Sequence, residues 1–391
     1  MTLDTNNLIA RRIAELPPYL FARLDALRAE KAATGVDVIP VSIGDPDLPT
    51  PEPVVERLRE AAGNPAYHRY NETAIPQFRR AIADWYRRRF AIDLDPDREI
   101  VPLIGSKEGI AHAPVALVDP GDLVLVPDPG YPVYSIGTEL VGGRVSYMPL
   151  LAERGWTPDL SEIDPMDRSA AKLMWLNYPN NPTAAAGSEG FFAEALEFCR
   201  RNQILLCQDA AYSEVTFDGF RATSALSQPG ALDYCVEFHS LSKTYNMTGW
   251  RIGWAAGNAA VIEALARVKS NMDSGMFAAI EAAGVAALEM PEEWIGRRNK
   301  ALEARRDRVV AALRRMGLAP EVPAASLYVW TPVPQGFDSS SFAAHVIDEA
   351  GVVVTPGLGF GPGGDGYFRI SLTTPDARLD EAMDRLARLN F

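Results

Sequence analysis

The segment His239-Ser-Leu-Ser-Lys-Thr-Tyr-Asn-Met-Thr-Gly-Trp-Arg-Ile-Gly253 gathers an amine, several hydroxyls and a guanidinium into one short stretch. Apolar runs enclose it, Tyr234 to Phe238 before and Arg251 to Ala256 after, so the polar cluster falls on the connection between two expected strands. An isolated loop lysine is ordinarily solvated. Lys243 is not isolated: Ser240 and Ser242 offer hydroxyls and Arg251 a rigid fork of donors, a set suited to a phosphate dianion. An amine beside a bound phosphate ester suits condensation with a phosphorylated aldehyde, and pyridoxal 5′-phosphate is the cofactor of that description.

A second loop has matching chemistry. Gly105-Ser-Lys-Glu-Gly109 follows the apolar run Ile100 to Ile104 and precedes a helical run, Ile110 to Leu117. Backbone amides at a helix start bind anions, and glycine lets a phosphate approach closely. Ser106 and Lys107 would then form the other half of a phosphate cradle.

Three strands carry the remaining groups at their carboxyl ends. Lys172 to Leu176 runs into Asn177-Tyr-Pro-Asn-Asn181, Ile204 to Cys207 runs into Gln208-Asp-Ala-Ala-Tyr212, and the third ends at Ser240. Between the first two, Phe191, Phe192, Ala195, Leu196 and Cys199 recur at helical spacing after a capping residue, Ser188. Apolar strands alternating with helices predict a parallel sheet covered on both faces. Ligands of such sheets bind beyond the carboxyl ends of the strands, where Asn181, Asp209 and Lys243 fall.

Composition narrows the setting. The 391 residues are enough for two domains, and 47% hydrophobic with 23% charged residues is ordinary for a globular chain. A formal net charge of −13 argues against nucleic acid and anionic membranes as partners. Cys199, Cys207 and Cys235 lie in apolar segments without a Cys-x-x-Cys pair, and read as buried thiols of a reducing compartment. The four histidines form no metal-ligand spacing with one another or with a cysteine, so no metal is expected. The first residues lack a basic stretch followed by an apolar one, which leaves the cytoplasm as the expected location. Gly357-Leu-Gly-Phe-Gly-Pro-Gly-Gly364 superficially suggests a dinucleotide loop, but Pro362 breaks it and no long strand and helix flank it.

The lysine segment resembles that of the class I/II, fold-type I aminotransferases, in which Ser-x-Ser-Lys is followed eight residues later by Arg and then x-Gly. The resemblance extends from about Pro40 to the C-terminus. It implies an α/β fold: a large domain over residues 46–285, with a mixed, mostly parallel sheet sandwiched by helices, and a smaller α/β domain from residues 1–45 and 286–391. It implies that Lys243 binds pyridoxal phosphate and shuttles the substrate proton, that Asp209 faces the pyridine nitrogen, and that Tyr212 and Asn181 hydrogen-bond the phenolic oxygen. Tyr131 would stack on the ring, Arg369 in Tyr367-Phe-Arg-Ile-Ser would clamp the substrate carboxylate, and Gly44 would lie beside it. Tyr70 would reach the phosphate of a neighbouring subunit and the Asn271 region would cross the same interface, giving a homodimer with shared sites. One departure stands out: Ala74-Ile-Pro76 occupies a loop that in the family carries a glycine and is one residue longer.

Ile104-Gly-Ser-Lys-Glu-Gly-Ile-Ala111 and the lysine segment look most like the LL-diaminopimelate branch, with 2-oxoglutarate as acceptor. Donors such as alanine, aspartate, aromatic amino acids or N-succinyl-diaminopimelate are the alternatives. Glu72, Tyr19, Asn271 and Ser274 are candidates for the far end of such a substrate, with Lys107 a further cation. A pyridoxal-phosphate β-lyase would share Lys243, Asp209 and Arg369. The aminotransferase-like half of a transcription regulator would need a basic DNA-binding domain before Pro40, where there is no room for one.

Overall fold

A computed structural model describes residues 8–17 and 20–389. Its centre is a seven-stranded sheet. The strands β2 (Ile100–Leu103), β3 (Leu123–Asp128), β4 (Arg144–Pro149), β5 (Ala171–Asn177), β6 (Leu205–Asp209), β7 (Cys235–Ser240) and β8 (Gly253–Gly257) lie in the order β2-β8-β7-β6-β5-β3-β4. Only β8 runs against its neighbours, pairing antiparallel with β7 and with β2, so the sheet is mixed and mostly parallel as expected.

The apolar strand runs follow from burial on both faces. Every residue of β7 is buried, Glu237 included, and β5 exposes only Lys172. One face packs Val124, Val126, Leu173, Trp175, Cys207 and Phe238 against the Ser106–Leu117 helix, and the other packs Leu125, Met174, Leu176 and Leu206 against the Glu189–Asn202 helix. Ser188 caps the latter, accepting from the Phe191 amide at 3.1 Å. All three cysteines are buried and free.

A second core joins Ile39 and Val41 to residues between Leu302 and Leu386. It is built on β9 (Tyr328–Pro332) and β12 (Tyr367–Ser371), with the short strands β10 (Val352–Val353) and β11 (Thr355–Pro356). β11, β12 and β9 form an antiparallel sheet, while β1 (Ile39–Pro40) pairs in parallel with β10. β1 spans only two residues, although the Val41 amide beyond it still donates to the Val353 carbonyl at 2.9 Å.

The Glu292–Arg315 helix packs Leu302, Val309 and Leu313 into the second core and carries buried arginines. Arg305 forks onto Asp47 at 2.6 and 2.9 Å, and also donates to Asp376 and to the Leu372 carbonyl, each at 3.0 Å. Arg306 pairs with Asp218 and donates to the Pro323 carbonyl at 3.0 Å. Breaking a buried pair from one side strands the other charge. Arg305→Met should therefore destabilise the protein by about 3 kcal/mol, read from denaturant melts. A loss below about 1 kcal/mol would mean that the Asp47 carboxylate finds water and that the tie is dispensable.

Candidate active site

The carboxyl ends of β5, β6 and β7 open on a cavity of about 330 Å³. Ser106, Lys107, Tyr131, Asn181, Asp209, Tyr212, Ser240, Ser242, Lys243, Arg251, Gly44 and Arg369 all line it. Residues far apart in the sequence thus converge as expected, and the volume lies within the range of small-molecule sites.

One end is built for an anion. The Ser106–Leu117 helix begins there, with Gly105 before it at φ 77°. A side chain on Gly105 would lie 2.3 Å from Arg251 Nη2, and one on Gly253 would lie 2.4 Å from the His239 carbonyl and 2.9 Å from the Ser106 amide. Gly105 is therefore fixed by its positive φ and Gly253 by close approach of backbone. Ser240 caps the short Leu241–Thr244 helix, accepting from the Ser242 amide at 3.2 Å. Ser242 Oγ is buried with no hydrogen-bond partner among the described residues. A buried hydroxyl left unpaired beside a guanidinium and a helix start fits a phosphate that would complete its bonding.

Among the described residues, Asp209 is the only buried carboxylate lining the cavity. Asp209 Oδ2 accepts from the Tyr134 hydroxyl at 2.8 Å and Oδ1 from the Ala211 amide at 3.2 Å. Burial nevertheless pushes its carboxyl up to about 6, against the lowering effect of these bonds and of His239. A carboxylate in such surroundings is stabilised by a protonated ring nitrogen. Lys243 donates to the Gly44 carbonyl. Desolvation brings its amine down to about 8, with Arg251 and Arg369 pushing the same way and Asp45 opposing.

Arg369 is fully buried in the wall. It donates to Asn181 Oδ1 and, at 2.6 Å, to the Ser42 carbonyl, and its guanidinium lies 3.9 Å from the Tyr328 ring centroid and 4.8 Å from that of Phe360. Because Asn181 turns its oxygen to Arg369, its NH2 is left as the donor side. Tyr212 and Tyr328 share a hydroxyl contact of 2.9 Å.

Several of these partners escaped the sequence reading. Tyr134 lies three residues after Tyr131, its amide donating to the Tyr131 carbonyl at 3.2 Å where the Val133–Leu140 helix begins. Tyr328 explains Gly44, since a Cβ there would meet the Tyr328 hydroxyl at 2.1 Å. Asp25, Ile43, Ala211 and Thr248 also line the cavity and carried no signal.

Other expected residues are not brought to this cavity within the chain. Tyr70 is 89% exposed. Glu72 lines a separate cavity of about 790 Å³ with Asn71, Arg79 and Glu281. Asn271 lies on the Ala259–Met272 helix, exposed and bonded back to the Arg267 carbonyl at 2.8 Å. Ser274 follows that helix at φ 56°. Tyr19 lies outside the described residues. In the departing loop Ala74 takes φ 62°, the conformation that a glycine would occupy without strain. Glu281 holds the loop, accepting from Asn71 Nδ2 at 2.8 Å and from the Ile75 amide at 2.7 Å.

Among the described residues, Glu108, His112 and Asp273 lie close enough to suggest a cation site, but the Lys269 ammonium already bridges Glu108 and Asp273 at 2.9 and 3.1 Å.

Fold and site together define a pyridoxal-phosphate-dependent transferase of the fold-type I class. A sequence profile described as aminotransferase class I and II matches residues 36–386. The LL-diaminopimelate aminotransferase of Desulforudis audaxviator is 55% identical over 378 residues, 96% of each chain, and that of Moorella thermoacetica is 54% identical over 381 residues, 97% of this chain and 98% of its own. Substrate-bound BacF from Bacillus subtilis superposes with a TM-score of 0.95 at 35% identity, covering 100% of this chain and 98% of its own. The chain belongs to the class I and II aminotransferase family, and it is a transaminase that depends on pyridoxal phosphate.

The raised Asp209 carboxyl has a measurable consequence in the cofactor-free protein. A carboxyl whose folded value lies above its unfolded value of about 3.9 imposes no penalty below that pH, and a growing one as pH rises towards 6. Asp209→Asn should therefore stabilise the cofactor-free protein by roughly 3 kcal/mol at pH 8 and by little at pH 4. Urea melts of both proteins across this range check the sign; a gap that does not change with pH would show the carboxylate to be solvated.

Proposed function

We propose that this transaminase takes its amino group from LL-2,6-diaminopimelate and delivers it to 2-oxoglutarate. The names of the D. audaxviator and M. thermoacetica relatives support that donor. The observation that carries the site assignment is the convergence of Lys243, Asp209 and Arg369 on one cavity.

Pyridoxal phosphate, when bound, supplies an electron sink for the substrate's α-carbon. Ser106, Lys107, Ser240, Ser242 and Arg251 would hold its phosphate, and Tyr131 would cover the ring. Asp209 would face the ring nitrogen and favour its protonated form, while Tyr212 and Asn181 would donate to the phenolic oxygen. Lys243 would be the residue that anchors the cofactor and the base that takes the α-proton and returns it. With its amine lowered to about 8, it is partly neutral near physiological pH, as a base must be. Arg369 binds the α-carboxylate in a two-pronged contact, with Gly44 leaving space beside it.

The active form is a homodimer in which Tyr70 and the Asn271 region serve the neighbouring subunit's site. Tyr70's exposure supports this only in that its ring is accessible to a second copy of the chain. Glu72, Asn271 and Tyr19 would then meet the distal ammonium and carboxylate of the donor, with Lys107 available to the distal carboxylate of 2-oxoglutarate. Residues 46–285 act as the cofactor domain and residues 1–45 and 286–391 as the smaller one. No helix among the described residues is long and apolar enough to cross a membrane, and we assign the enzyme to the cytoplasm.

Lys243→Ala should lower transamination by more than about a thousandfold and abolish the borohydride-fixable label; a label persisting on another lysine would sink the assignment. For the donor, the yellow enzyme is mixed with single amino acids and conversion to its pyridoxamine form is followed. Rapid conversion by LL-diaminopimelate supports the proposal. Conversion by alanine or an aromatic amino acid but not by LL-diaminopimelate would replace the donor and leave the transaminase intact. Turnover without any 2-oxo acid would point to a lyase. Full activity in a dilute monomer would contradict the shared site.

A further inference from the structure

We infer that Arg298, outside the cavity, is a positioning residue for Lys243. This rests on the assignment of Lys243 as the cofactor lysine. Arg298 stands near the start of the Glu292–Arg315 helix and is 4% exposed. Its Nη1 donates to the main-chain carbonyl of Lys243 and its Nη2 to that of Glu214 at 2.7 Å. Asn299, the next residue, donates to the same Glu214 carbonyl at 3.0 Å.

The geometry of the lysine turn explains why it needs such a contact. Lys243 sits in a four-residue helix, Leu241–Thr244, whose last carbonyls have too few residues after them to be satisfied within the helix. Its amine end is held by the Gly44 carbonyl, and Arg298 holds its backbone end. The second prong reaches the segment that follows Asp209 and Tyr212, so one rigid guanidinium links the turns after β6 and β7. Burial lowers Arg298 to about 10, which leaves it charged at neutral pH.

The reference frame behind this contact is firm. Seven residues further along the same helix, Arg305 grips Asp47, three residues from the Gly44 carbonyl that Lys243 touches. One helix thereby sets both ends of the lysine side chain. A displacement of about 1 Å from a change remote from the chemistry can cost about a hundredfold in rate.

The test compares binding of pyridoxal phosphate, which bonds to the lysine, with that of pyridoxamine 5′-phosphate, which does not. Arg298→Met keeps the stem and removes both donors. It should weaken pyridoxal phosphate about tenfold or more, and leave pyridoxamine phosphate within about threefold. The first half-reaction at saturating donor should slow about 30- to 100-fold with KM within about threefold, and Arg298→Lys should recover part of both losses. Equal weakening of the two ligands, or no weakening of either, would overturn the inference. If the Met variant does not fold, the Lys variant decides by the same comparison, with a selective loss of a few-fold expected for pyridoxal phosphate alone. Mapping the borohydride-fixed label in the unaltered protein separates the two claims: a label away from Lys243 removes the assignment beneath, whereas a label on Lys243 with unselective loss removes only the role of Arg298.

Discussion

Taking the Lys243 amine out of water is the constraint on which the rest of the site depends. The amine donates to the neutral Gly44 carbonyl, and the charge of Asp45 is what favours its protonated form. Two guanidiniums, those of Arg251 and Arg369, add to the pressure on it to lose its proton. Around the cavity four cationic side chains, Lys107, Lys243, Arg251 and Arg369, face two carboxylates, Asp25 and Asp209. A chain with a net charge of −13 thus turns an electropositive pocket towards its ligands. An excess of that sign suits anionic ligands such as a phosphate or a carboxylate.

Much of this was legible in the sequence because the chemistry sits at strand ends, where apolar runs stop abruptly. The runs before Asn181, Asp209 and Ser240 marked β5, β6 and β7, and Ser188 marked the intervening helix. What was missed follows a different pattern. β4 is an edge strand in which only Met148 is buried, so it lacks the apolar run of its neighbours. The Ala278–Leu288 helix is buried around most of its surface against the Glu52–Ala62 and Pro76–Phe90 helices, so it has no amphipathic stripe to read. The Ser339–Ala350 helix carried a readable sign, a capping box between Asp338 and Ser341, which the reading passed over.

Side-chain contacts with main-chain carbonyls left no trace in the pattern. Arg298 meets Lys243 and Glu214 through their backbones, so neither partner's residue type betrays the contact. The glycine-rich run from Gly357 forms two short turns, Gly357–Phe360 and Pro362–Gly364, that pack closely. A Cβ on Gly357 would meet the Gly364 carbonyl at 2.0 Å, and the Gly363 amide donates to Asp128 at 2.9 and 3.0 Å, which pins the run against the end of β3.

The cavity wall also has an order in time, set by where its residues lie along the chain. Lys243 and Asp209 are made with the central sheet, but Tyr328 and Arg369 belong to β9 and β12, which pair residue by residue from Tyr328–Ser371 to Pro332–Tyr367. The Ser371 amide closes on the Val41 carbonyl at 2.7 Å, joining β12 to the residue after β1. A nascent chain can therefore complete its central sheet while the Tyr328 and Arg369 side of the pocket is still missing. Arg369 follows Lys243 by 126 residues, so one wall of the cavity is laid down well before the other.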